Sequence, residues 1–127
     1  QEELVIKQTV PEFSEATLRQ EIRKLNLPFE DIIVAQFKLE TGNFQSPIFC
    51  ISNNLAGMKC AKVRVYTQEG EFNGHAKYTD WKQSLQDYSL WWATYCSGIK
   101  TEEEFLALLQ SMYAEDPDYI NKINKLK

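Results

Sequence analysis

The segment 29–40 constrains this chain more than any other stretch. Ile32, Ile33, Val34, Ala35, Phe37 and Leu39 leave it apolar on nearly every side at helical spacing. A helix that is hydrophobic all round is the buried centre of its domain, so the remaining elements must pack around it. Pro28 is placed to open this helix, because a first turn does not use the missing N–H. Gly42 is placed to stop it. The helix closes on Glu40, a carboxylate at the end of the most apolar element in the chain. Burying such a group is expensive unless it is paired. Apolar surroundings and the negative end of a helix both push its pKa up. A carboxylic acid that stays protonated near neutral pH is what a glycosidase uses to protonate a leaving oxygen. The competing reading is an ordinary exposed residue at a helix end. Gln36 lies one turn earlier on the same face and is a candidate to line the same cleft.

The flanking pattern supplies the packing partners. Before it, Ser14 reads as an N-cap with Phe13 and Leu18 as a hydrophobic staple, and Leu18, Ile22 and Leu25 carry a helix over 14–26. After it, 43–59 is irregular, with Pro47 and Ser52-Asn53-Asn54 reading as loop. Val63, Val65 and Thr67 alternate with Lys62, Arg64 and Tyr66, which predicts a strand. Asn73-Gly74 predicts a hairpin turn. Asp80 with Gln83 and Thr101 with Glu104 read as capping boxes. They open helices with the stripes Trp81, Leu85, Tyr88, Trp92, Tyr95 and Phe105, Leu109, Met112. Asp116-Pro117 starts a last helix carrying Tyr119, Ile123 and Leu126. The first stripe reads as core, which leaves Trp91 as the expected exposed aromatic. The fold class is therefore α+β, mostly helical with a small β hairpin lobe.

A chain of 127 residues is one domain: a short N-terminal arm over 1–13 and a single catalytic domain over 14–127. The formal charge of −4 and the lack of any basic stripe exclude a nucleic-acid binder, which needs clustered cations to displace counterions. No apolar run approaches the ~20 residues of a membrane span. The sequence carries no phosphate-cradling glycine loop, no dinucleotide fingerprint and no zinc-ligand spacing around the single His75, so no cofactor or metal is expected. Nothing in it specifies an oligomeric state.

Ala35-Gln36-Phe37-Lys38-Leu39-Glu40-Thr41-Gly42 resembles the "AQ-x-x-LE-[ST]-G" helix end of bacterial peptidoglycan endo-β-N-acetylglucosaminidases of the flagellar and autolysin type. Asn53-Asn54-Leu55-Ala56-Gly57-Met58-Lys59 is similar to their "NNLFGIK" segment, with Ala56 in place of Phe. Tyr78, followed by Ser84 and Asp87-Tyr88, resembles their "Y-x-S…S-x-x-DY" helix, and 113–119 resembles their "YATDPxY" ending. The four motifs stand in the family's order and cover most of the chain. The resemblance implies a lysozyme-like fold with a groove between a helical lobe and a β lobe. It implies hydrolysis of the β-1,4 bond after N-acetylglucosamine in peptidoglycan glycan strands, with Glu40 as general acid. A second acidic residue on the β lobe is implied in some members, and Glu69 and Glu71 are the candidates here. A tyrosine of the final motif is implicated too. Tyr113 and Tyr119 are the candidates: Tyr113, at a helix end, is expected to face the groove as a catalytic residue, whereas Tyr119, kept among the residues expected to bind substrate, also fits the apolar stripe of the last helix. Tyr78 joins the residues expected to bind substrate. Asn53 and Asn54 read either as a turn or as amides gripping an N-acetyl group.

A muramidase or lytic transglycosylase on the same fold, or a catalytically silent glycan-binding module, are the alternatives. Transglycosylases of this fold carry an "ES" pair where this chain has "LETG". A wall hydrolase acts outside the inner membrane, so the chain is expected to be exported to the periplasm, cell surface or medium, with its export signal outside the given sequence. Disulfides persist there. The cysteines, Cys50, Cys60 and Cys96, allow at most one bridge. A Cys50–Cys60 bridge would close a loop beside the groove, and two free thiols fit the spacing equally well.

Overall fold

The structure, a computed structural model, describes residues 10–112 and 116–127. Within them lie six helices and one two-stranded antiparallel sheet, the mostly helical α+β arrangement with a small hairpin lobe. Helix α1 (Glu15–Lys24) starts at the capping box of Ser14 and Thr17. Phe13 seals that end by packing edge-on against Phe44, Phe49 and Trp81. The indole N–H of Trp81 reaches back to the Pro11 carbonyl at 3.0 Å.

Helix α2 (Glu30–Glu40) is the buried centre its sequence demands, with Ile32, Ile33, Val34, Ala35 and Phe37 each at most 1% exposed. It begins later than Pro28 suggested. Phe29 takes the left-handed cap position at φ 61°, held by stacking on Phe105. The first turn is clamped instead by Arg19 and Arg23 on Glu30. Helix α2 packs against α1 on one side and against α6 (Tyr119–Leu126) on the other.

Two sequence expectations give way. Residues read as loop around Pro47 form a short helix, α3 (Pro47–Ser52), in which proline occupies the first turn, where its lost N–H is harmless. The strand expected over 62–67 does not form. The strands are β1 (Gly70–Phe72) and β2 (His75–Lys77), with Asn73 and Gly74 both at positive φ as a two-residue I′ hairpin turn requires. Upstream, Gln68 pairs through its amide with both backbone groups of Ala61, closing 61–68 into a loop. Val63 and Val65 are left 93% and 75% exposed. Helix α4 (Trp81–Tyr95) follows the Asp80 cap, and α5 (Glu102–Met112) follows the Thr101–Glu104 box. Leu85, Tyr88, Phe105, Leu109 and Ile123 complete the core around α2.

All three cysteines are free, so the Cys50–Cys60 bridge is not formed. Each of those thiols lies against a backbone carbonyl instead, Cys50 on Gln45 and Cys60 on Gly70. No helix among the described residues is long and apolar enough to cross a membrane.

Candidate active site

The end of α2 is where the core opens. Phe37 is fully buried, whereas Leu39 and Glu40 are half-exposed and line a cleft of about 790 Å³. The helix stops sharply there. The N–H of Asn43 bonds the Lys38 carbonyl at 2.8 Å across Gly42 at φ +55°, the closing bond of a Schellman turn. Thr41 adds a bond from its hydroxyl to the Phe37 carbonyl. The chain therefore leaves without covering the Glu40 carboxyl.

Across the cleft stands the Asn-Asn segment. Asn54 is fully buried, and its amide donates to the carbonyls of Met58 and Ala76 at 2.9 and 2.8 Å while accepting from the Met58 N–H. This closes a tight turn that carries Gly57 at φ +65° against Glu40. A Cβ on Gly57 would lie a tight 3.3 Å from Glu40 Oε1 and would be strained at this positive φ, so glycine suits the backbone where it covers one side of the carboxyl. From the other side the Tyr119 hydroxyl, at the start of α6, donates to Glu40 Oε2 at 3.2 Å. Burial raises the Glu40 pKa above the usual carboxylate range, and the Tyr119 hydrogen bond opposes part of that rise. A carboxyl so held keeps its proton to higher pH than a solvated glutamate and lines open space where a substrate oxygen can sit.

The aromatic lining comes from α4 and corrects the sequence expectation. Trp91 is 6% exposed and Tyr95 50% exposed, the reverse of what the stripe suggested. Four residues apart on one helix face, both line the cleft, their ring centroids 6.1 Å apart. Tyr88 lies beneath Trp91 at 5.3 Å, and Tyr95 forms the exposed edge of the shelf. Met112, at the end of α5, is 48% exposed and also borders the cleft.

The other sequence candidates stand elsewhere. Gln36 is fully buried and accepts from the Tyr88 hydroxyl at 2.6 Å, inside the core and not on the cleft wall. Asn53 caps α3 in the left-handed region and donates to the carbonyls of Tyr78 and Thr79. Neither Asn53 nor Asn54 lines the cleft. Tyr78 is 1% exposed with its hydroxyl on Asp87, and burial, aided by that contact, raises the phenol pKa. Glu69 and Glu71 border a separate shallow depression of about 300 Å³, and Glu69 accepts from the Thr79 hydroxyl at 2.6 Å. Tyr113 lies outside the described residues. Tyr119 is core, as its place in the apolar stripe predicts, at 3% exposed, and its hydroxyl also reaches Glu40.

Gly57, Arg64, Trp91 and Tyr95 line the site without having been singled out for it. Gly57 had a signal, since it is the glycine of the Asn-Asn segment. Arg64 had none, because its alternation with valines imitated a strand. It lies along the cleft wall and is fixed there by fully buried Asp87, with N–O distances of 2.7 and 3.2 Å. Asp116 also lines the cleft, its carboxylate held below its ordinary pKa by Lys122 at 2.6 Å.

The family described as mannosyl-glycoprotein endo-beta-N-acetylglucosaminidase, the glucosaminidases, matches residues 15–127. Among solved structures, the catalytic domain of the autolysin Auto from Listeria monocytogenes is similar in fold, with a TM-score of 0.57. It shares 24% sequence identity over 94% of this chain and 86% of that one. A comparison with curated proteins gives no match.

Proposed function

Since the chain belongs to the glucosaminidase family, we propose that it is a glycoside hydrolase of bacterial cell-wall peptidoglycan, cutting the β-1,4 bond that follows N-acetylglucosamine, with Glu40 as general acid. The observation that carries this reading is the Glu40 carboxyl, raised in pKa by burial, steadied by Tyr119 and open to a cleft large enough for a sugar chain. Exported action at the wall follows from the substrate. The likeness of fold to an autolysin's catalytic domain is consistent with it.

Glu40 donates its proton to the glycosidic oxygen as the bond from that oxygen to the sugar C1 breaks. Two routes can fill the opposite face of C1. A carboxylate on the β lobe can activate water, or the carbonyl oxygen of the substrate's own N-acetyl group can close onto C1. The second route is favoured here. Glu69 and Glu71 border a different depression, and Asp116 is held by Lys122. Water then opens the cyclic intermediate, losing its proton to the Glu40 carboxylate. The Tyr119 hydroxyl stabilises that carboxylate between the two steps.

Borohydride reduction of the digested wall tests the bond cut. Reduced glucosamine ends are expected. Reduced muramic acid would make the chain a muramidase, and anhydromuramic ends a lytic transglycosylase. Absence of any cleavage by folded protein would leave a glycan-binding module.

A further inference from the structure

Four charged side chains line the cleft among the described residues: Glu40, Lys59, Arg64 and Asp116. Three are engaged. Glu40 meets Tyr119, Arg64 is locked on Asp87 with its side chain 8% exposed, and Asp116 is paired with Lys122. Lys59 is exposed, follows directly on the turn that presents Gly57, and has no ion-pair partner among the described residues. Among the described residues, the cleft thus offers one positive charge without an ion-pair partner, on a flexible stem.

We propose that Lys59 binds a carboxylate borne by the glycan strand, and so selects anionic muramyl strands over neutral N-acetylglucosamine polymers. This rests on the reading of the cleft as a peptidoglycan site. A compact ammonium on a four-carbon stem suits such a ligand, because it needs no fixed fork geometry to meet the carboxylate. The carboxylate has two possible sources, the stem peptide or the lactyl group of muramic acid once the peptide is removed.

Three substrates separate these cases: intact glycan strands, strands stripped of peptide by an amidase, and intact strands whose carboxyls are converted to methylamides. Wild type is expected to lose affinity about fivefold, as KM, on the methylamide strands, the size of an exposed ion pair. Lys59→Met should raise KM about fivefold on intact strands with kcat little changed, and should no longer respond to methylamidation. Lys59→Arg should restore most of the preference. A preference kept on stripped strands shows that the lactyl carboxylate freed there is bound as well, and one lost there confines recognition to the stem peptide. The proposal is overturned if Lys59→Met matches wild type on intact strands, or if it loses equally on methylamide strands. Wild type that cleaves none of the three overturns the substrate reading as well, and is recognised by the lack of any product.

Discussion

Around α2 the chain is held by carbon: Ile33, Phe37, Leu85, Leu109 and Ile123 are all fully buried in one cluster. Across the cleft, the excursion from Lys59 to Lys77 leaves Val63 and Val65 in water and is fastened by polar groups. Asp87 takes the Arg64 guanidinium, the Tyr78 hydroxyl and the Thr67 N–H, while Asn54 ties Met58 to Ala76. The two modes differ in how failure spreads. Apolar packing is shared among many neighbours, so its loss is felt globally. A polar clamp concentrates the holding energy in a few groups whose separation releases one segment. The Glu40 carboxyl needs both sides, since the body buries it and the turn at Gly57 covers its flank.

The largest effect is expected from breaking the clamp. Asp87→Asn leaves the Arg64 guanidinium without its carboxylate, and loss of one partner of a buried pair costs about 3–5 kcal/mol. Hydrogen exchange should show that loss concentrated over 61–77, with the α2 amides still protected. Equal loss of protection along α2 would erase the distinction between the two regions.

Next in size is the group at their seam. Glu40→Gln keeps shape and can still accept from Tyr119, but it has no proton to transfer, so hydrolysis should fall by about 10²-fold or more. Stability should move the other way. The folded-state pKa of Glu40 is raised, so the folded state binds this proton more tightly than the unfolded chain does. That contribution is fully present below the ordinary glutamate range and is lost as pH rises through the raised value. Paired melts should therefore find Glu40→Gln more stable than wild type at pH 7 and no better at pH 4. A variant that gains as much at pH 4 would show that the carboxyl is not poorly solvated.

Smaller effects sharpen the comparison on both sides of the cleft. Tyr119→Phe should lower activity about tenfold and move the basic limb of the pH–rate profile upward, because the hydroxyl that opposes the Glu40 shift is gone. Glu69→Gln and Glu71→Gln should each change the rate by less than about threefold. A drop in either that rivals Glu40→Gln would make the excursion a chemical partner and retire the N-acetyl route.

Local pattern alone determined the helices other than α3, their caps at Ser14, Asp80 and Thr101, the stop at Gly42, the hairpin turn at Asn73-Gly74 and the buried course of α2. Each depends on residues within one or two turns of one another, so period and cap chemistry suffice. Glu40 was legible for the same reason, as an acid closing an apolar helix inside a motif. Tertiary structure decided the rest. Tyr119 meets Glu40 across 79 positions of sequence because α6 docks on α2. The Val-Arg-Val alternation forms no strand, because Arg64 is drawn to an acid 23 positions away on α4. Which of Trp91 and Tyr95 is exposed depends on where the cleft cuts across α4. A helical stripe fixes which residues share a face; what the rest of the chain lays over that face is a long-range matter that no local window contains.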